Sequence, residues 1–263
     1  MTMTYAGTTA LITGASSGLG AEFAGQFAAR GSNLVLVARR GDRLEELAQE
    51  LRARHGVTVT VLPKDLGLAG VGRELFDELA GRGISVDTLI NNAGFGTHGP
   101  LIEEDPETIA SEISLNVAAL VDITRAFLPE LLASGKGALV NVASTAAFQP
   151  IPGMAVYGAT KAFVLSFTEA VAHETKKSGL NVLALCPGAT RTEFFDVLGG
   201  DSAAVGKMQT SAQVVGTALK ALDRKDTPGS VVSGWVNRVA AGFAQRLPRA
   251  VTVAIAARAV QDW

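Results

Sequence analysis

Short unbroken apolar runs alternating with longer stretches of helical spacing set the pattern of this chain. Residues 8–12 form the first such run, ending in Thr13, Gly14, Ala15, Ser16, Ser17, Gly18, Leu19 and Gly20; residues 21–30 then show helical spacing and stop at Gly31. The pattern reads strand, glycine turn, helix. Asn33–Ala38 is a second strand, residues 44–55 a second helix stopped by Gly56, and residues 57–62 a third strand. Further runs at Thr88–Asn91, Ala138–Val142, 181–185 and 230–233 bring the expected total to about seven strands, and an apolar-periodic helix runs from Tyr157 to about Ser178. Asp105, Pro106 and Glu107 spell a helix start, an acid at the cap and a proline in the first turn. Continuous Val, Leu and Ile runs, unlike alternating ones, belong to strands buried on both faces. The expected fold is therefore a doubly wound α/β domain, a mostly parallel sheet with helices on both faces.

Composition narrows the class. With 263 residues, 48% of them hydrophobic and 18% charged, the chain is long enough to bury a full core, and one domain over residues 1–263 is expected, without repeats or linkers. A net charge of −2 offers no cationic surface for nucleic acid; Arg39, Arg40 and Arg43 are the tight basic cluster of the first half. The lone Cys186 sits in an apolar run, excludes an intramolecular disulfide and suits a reducing, cytoplasmic setting. Residues 1–7 lack the basic and apolar regions of a signal peptide, and the uncharged stretch 137–160 is broken by Pro150, Pro152 and Gly153, so neither secretion nor an integral membrane segment is expected. His55, His98 and His173 are scattered away from other ligand types, so no metal is expected.

Three glycine patterns compete for the chemistry. The turn Gly14-x-x-x-Gly18-x-Gly20 lies between first strand and first helix, where backbone N–H groups and a helix N-terminus face a pyrophosphate. Gly94, Gly96 and Gly99 match the spacing G-x-G-x-x-G, but Pro100 follows instead of a helix, so this match is read as a decoy. Gly14, Ser16 and Gly18 also spell the G-x-S-x-G elbow of serine hydrolases, a rival reading in which Ser16 is the nucleophile, although an elbow after the very first strand would be early. Tyr157 and Lys161, four apart on one helix face, form a workable acid/base pair, since a nearby cation favours phenolate.

Taken together, Thr13-Gly14-x-x-x-Gly18-x-Gly20, Asn91-Asn92-Ala93-Gly94, Ser144 and Tyr157-x-x-x-Lys161, with thirteen residues from Ser144 to Tyr157, resemble the short-chain dehydrogenase/reductase family over nearly the whole chain. The resemblance implies a Rossmann-type fold and hydride transfer between a nicotinamide dinucleotide and a carbonyl or secondary alcohol. Tyr157 would donate the proton, Ser144 would steady the carbonyl oxygen, and Lys161 would bind the nicotinamide ribose and lower the Tyr157 pKa. Asn116 would hold a water in the proton relay, and Asn91 would brace the sheet. The remaining cofactor contacts would be Gly14, Ser16, Ser17, Gly18, Leu19 and Gly20 at the phosphates, Asp65 and Leu66 at the adenine, and Asn92, Ala93 and Gly94. Pro187, Gly188, Thr190 and Thr192 would fix the carboxamide, with Thr190 standing where an aliphatic residue is common.

Cofactor choice rests on the end of the second strand. Ala38 stands where an NAD site would carry an acid, and Arg39 and Arg40 follow, so NADP(H) is expected, with Arg39 as the main contact to the 2′-phosphate. Residues 193–210 and 234–263 are the regions expected to set specificity, and Phe194, Phe195, Val197, Leu198 and Trp235 are expected to form an apolar wall for a lipophilic substrate. Gly199 to Ser202 is the expected mobile loop. Apolar periodicity over 113–132 and 162–172 points to a homo-oligomer, a dimer or tetramer. The alternative from another class is a dinucleotide-bound sensor or scaffold that keeps the fold without turnover.

Overall fold

The computed structural model describes residues 3–194 and 208–259. Its seven strands are β1 (Thr9–Thr13), β2 (Asn33–Ala38), β3 (Val59–Pro63), β4 (Thr88–Asn91), β5 (Ala138–Val142), β6 (Asn181–Cys186) and β7 (Ser230–Val232). They form one sheet, parallel throughout, in the order β3-β2-β1-β4-β5-β6-β7. Leu11 pairs with Val35 on one side and Leu89 on the other, which fixes the register at the centre.

Both faces are covered, as the unbroken apolar runs require. Successive residues of a strand point to opposite faces, so Ala10 and Ile12 join one core and Leu11 the other. The first core packs α1 (Gly18–Ala28), α2 (Gly41–His55) and α7 (Ser211–Leu222) onto the sheet through Phe23, Phe27, Leu44, Val214 and Leu219. The second packs α3 (Val71–Gly81) and α5 (Leu120–Ser134) through Leu75, Leu79, Phe127 and Leu131. Helix α6 (Ala155–Glu174) lies beside β6, and α4 (Pro106–Ile113) runs into α5 through a π-helical turn, Ser114–Ala119. Two helices, α8 (Trp235–Ala244) and α9 (Arg249–Ala259), follow β7.

Asp105 caps α4 as expected, its carboxylate accepting from the Thr108 amide at 2.9 Å with Pro106 in the first turn. Helix α1 begins at Gly18, three residues before the first apolar-periodic position, so two of the turn's glycines belong to its first turn. Strand β1 runs to Thr13, one residue further than the apolar run. Helix α3 had no polar cap to announce it: it starts after Gly70 in the left-handed region, φ 77°, and is carried by the stripe Val71, Leu75 and Leu79. Residues 199–202, expected to be mobile, lie outside the described residues.

Strand order reverses between β1 and β4, which leaves a crevice at their carboxyl ends, the usual ligand position in such sheets. Thr13 closes its floor: the hydroxyl donates to the Ile90 carbonyl at 3.3 Å and accepts from the Asn92 and Ala93 amides at 2.9 and 3.0 Å. Asn91 braces the sheet, its amide donating to Asn141 and to Thr124 at 2.9 Å each, while Asn141 donates to Thr168 on α6 at 2.9 Å.

Candidate active site

The cleft above this crevice has a volume of about 830 Å³, within the range of small-molecule and cofactor sites. Gly14, Ser16, Ser17, Gly18 and Leu19 line it from the β1–α1 turn. Gly14 is required twice over. Its φ of +65° suits glycine, and a Cβ there would lie 2.8 Å from the Asn92 side-chain nitrogen Nδ2 and 2.9 Å from Ala93 Cα. Gly20 lies behind the lining, packed on the Gly14 carbonyl. Ser17 caps α1 with extended backbone and no side-chain cap bond, so the first amides of the helix keep their donors for a ligand. Such an uncapped, glycine-lined helix start fits a pyrophosphate.

At one end of the cleft stand Ala38, Arg39, Arg40, Lys64, Asp65 and Leu66, at the ends of β2 and β3. Of the two arginines, Arg40 is the one held by hydrogen bonds to the glycine turn. Its guanidinium donates to Ser16 Oγ at 3.0 and 3.2 Å and to Ser17 Oγ at 3.0 Å, and pairs with Glu193 at 2.8 Å. Arg43 pairs with the same carboxylate, and the two arginines hold Glu193 below the usual carboxylate range. Arg39 is exposed on the rim. Asp65 is occupied locally, accepting from the Gly67 amide at 2.9 Å.

At the other end, Ser144 follows β5, capping a 3₁₀ turn by accepting from the Ala146 amide at 3.1 Å. Tyr157 and Lys161 rise side by side from the first two turns of α6, both buried. Lys161 Nζ donates to the Val142 carbonyl at 2.9 Å and lies 5.7 Å from the centroid of the Tyr157 ring. Lowering of the Tyr157 pKa by Lys161 is not what this geometry gives. Burial pushes the phenol up to about 12, a hydrogen bond from Ser144 opposes it, and the charge of Glu112 adds to it. Burial likewise brings Lys161 down to about 8, against the carboxylate of Glu112 and the thiol of Cys186. Cys186 is a buried thiol, as its apolar run suggested, raised to about 12 by desolvation.

Asn116 lies behind the cleft wall in the π turn between α4 and α5. Its side chain donates to Phe95 O at 2.8 Å and to Thr160 Oγ1 at 3.2 Å, and accepts from the Phe95 amide at 3.1 Å. It thereby fixes Phe95, at the end of the Asn92, Ala93 and Gly94 stretch that lines the cleft. The second glycine match has a structural use: a Cβ on Gly96 would come within 2.8 Å of the Tyr157 ring. Pro187, Gly188, Thr190 and Thr192 line the cleft after β6. Their hydroxyls are turned inward on the loop itself, Thr190 donating to Gly188 O at 2.9 Å and Thr192 to Thr190 O at 3.3 Å.

Of the expected apolar wall, Phe194 packs on Tyr157 with ring centroids 5.3 Å apart. Phe195, Val197 and Leu198 lie outside the described residues. Trp235 does not line the cleft; it is 76% exposed, because α8 turns Ala241 inward and leaves the opposite face to solvent. Ile151 and Met154 take its place beside Tyr157. Sequence reading also passed over Glu112, a buried acid on α4 that nothing in its local pattern marks, and Ala256 of α9, which reaches the cleft from the far end of the chain.

No histidine lines the cleft among the described residues, and the Ser16 hydroxyl is bound by Arg40, so the hydrolase reading lacks its base. Among the described residues no helix is long and apolar enough to cross a membrane.

Residues 8–202 match the short chain dehydrogenase family. Sulfoacetaldehyde reductase 2 of Chromohalobacter salexigens is 42% identical over 197 residues, 74% of this chain and 77% of that protein. NADP-dependent 3-hydroxy acid dehydrogenase of Schizosaccharomyces pombe is 36% identical over 195 residues, 72% of this chain and 73% of that one. Among solved structures, a short-chain dehydrogenase from Sphingobium yanoikuyae in complex with NADPH superposes with a TM-score of 0.79 at 38% identity, covering 91% of this chain and 93% of that one. These matches, joined to the all-parallel sheet and the cleft at its switch point, show that the chain belongs to the short-chain dehydrogenase/reductase family of oxidoreductases.

Proposed function

We propose that the protein transfers hydride between NADP(H) and a lipophilic carbonyl compound or its secondary alcohol. One observation carries the reading: Ser144, Tyr157 and Lys161 converge in the same cleft as the open amide end of α1. The nicotinamide supplies the hydride chemistry when bound. The protein's own residues then hold and protonate. With its pKa near 12, Tyr157 is a phenol at neutral pH and so a proton donor to a carbonyl oxygen. Ser144, bonded to that phenol, is placed to donate to the same oxygen. Lys161, below its own pKa of about 8, is an ammonium, positioned under the tyrosine for a ribose hydroxyl. Asn116 keeps the Gly94 and Phe95 backbone in register with both.

Support for the 2′-phosphorylated cofactor comes from Arg39 and Arg40 at the nucleotide end, with Ala38 in place of an acid, and from the NADPH in the related Sphingobium structure. Support for an uncharged, apolar substrate comes from the sides of Tyr157, where Ile151, Met154 and Phe194 cluster. The cleft's described cations are Arg39, Arg40 and Lys64 at the far end and Lys161 beneath the phenol, so no described lining cation stands ready for a substrate anion. The relatives' names span a sulfonated aldehyde and a hydroxy acid, and the cleft chemistry favours neither. Self-association is proposed through residues 113–132 and 162–172, where Ile113 is 45% exposed and Phe163 42%, the latter stacked on Phe167 at 6.0 Å.

A panel of aryl and long-chain ketones beside small keto acids, each offered with NADPH and with NADH, tests the reading. Oxidation of NADPH with the bulky apolar ketones is expected. Best rates with charged keto acids would remove the substrate class, and cofactor binding without turnover on any carbonyl would favour a sensor or scaffold.

A further inference from the structure

Glu112 stands on the last turn of α4 with no solvent exposure at all. One carboxylate oxygen accepts from the Thr97 hydroxyl at 3.0 Å; the other, Oε1, is buried without a hydrogen-bond partner. A half-satisfied buried acid is costly, and packing gives no reason for it, since glutamine would fill the space and keep the Thr97 bond. The groups that face it come from two elements. From the loop after β4 come Thr97, whose neighbour Gly96 abuts the Tyr157 ring, and Glu104. From α6 come Lys161 and Tyr157, reached through Asn116, four residues on from Glu112; the Asn116 amide donates to Thr160 Oγ1 at 3.2 Å, and Cys186 of β6 adds its influence on Lys161. Burial lifts the Glu112 carboxyl to about 7; the Thr97 hydrogen bond opposes this, Glu104 adds to it and Lys161 again opposes it. The influence is mutual. Ionised Glu112 favours the ammonium at Lys161 and disfavours phenolate at Tyr157.

Resting on the reductase reading above, we propose that Glu112 is a positioning residue for the reaction: a buried counter-charge that holds Lys161 as the ammonium beneath the Tyr157 phenol, the protonation pattern that carbonyl reduction needs. It touches neither substrate nor cofactor and acts through α6. The sign follows from the charges. Loss of the carboxylate lets Lys161 lose its proton at lower pH, so the basic limb of the reduction moves toward neutrality.

The test is the pH profile of kcat/KM for NADPH-dependent ketone reduction by the wild type, Glu112→Gln and Glu112→Asp. Glu112→Gln should shift the basic limb down by about one pH unit, the low end for a neighbouring opposite charge, and Glu112→Asp should return it toward the wild-type position. A basic limb unmoved in Glu112→Gln would leave Glu112 as an anchor for Thr97 and overturn the proposal. A reciprocal measurement stands even where the Glu112 variants do not fold: infrared titration of the buried carboxyl in wild type and Lys161→Met. Without the ammonium, the carboxyl should titrate above its wild-type value near 7, and no displacement would overturn the coupling. That titration needs no turnover, so its outcome is separate from the success of the reductase reading.

Discussion

At the residue scale the site is defined by what surrounds Tyr157. Its ring is flanked by Phe194 and by Gly96, whose missing side chain leaves room for it. Gly96→Val should therefore displace the phenol and lower kcat at least about tenfold, with NADPH affinity near wild type, because Gly96 is not among the residues lining the phosphate end. Equilibrium fluorescence titration beside steady-state rates checks both halves. Tyr157 and Lys161 were legible as a pair from their spacing, since a helix places residues four apart on one face, whereas Ser144, on a separate loop, was legible only through the family resemblance. Their protonation was not. A motif says that a cation stands near a phenol, but whether the charge or the burial wins depends on packing, and here burial prevails at both groups. Arg39 and Arg40 show the same limit: strand-end position identifies the pair, while only the fold shows which of them Ser16, Ser17 and Glu193 hold.

At the scale of elements, strands were easier to read than helices. Five of the seven strands, all but the edge strands β3 and β7, are apolar runs buried on both faces, a signal that needs no partner to interpret. Helix α7 was hidden because its start lies in a polar segment, yet it carries a full capping box: Thr210 Oγ1 accepts from the Gln213 amide, and Gln213 Oε1 accepts from the Thr210 amide at 3.0 Å. Thr210→Ala should cost about 1 kcal/mol, read as a fall of about 2–4 °C in Tm, with kcat unchanged. The latch at Glu193 makes a second prediction at this scale. Because its carboxylate occupies both Arg40 and Arg43, Glu193→Gln should free the guanidiniums and strengthen NADPH binding severalfold more than NADH binding; equal effects on both would show that the latch does not face the 2′-phosphate.

Across the whole molecule, the reversal of strand order at β1 and β4 brings residues from the first turn and from α6 into one cleft. Charge is distributed along that cleft, three cations at the nucleotide end and apolar side chains at the other, although the chain's net charge is only −2. NADPH should bind at least about tenfold more tightly than NADH, the worth of one charge-assisted contact, and Arg40→Leu should erase most of the difference. Raised salt should narrow it as well, since exposed charges are screened.

The most direct measurement is made on Tyr157→Phe, with NADPH binding and single-turnover reduction of the best ketone followed on the same preparation. Loss of the phenol's proton should slow reduction by about a hundredfold to ten-thousandfold with cofactor affinity within about threefold of wild type. Reduction by Tyr157→Phe at the wild-type rate would contradict the account, because some other group would then be giving the proton.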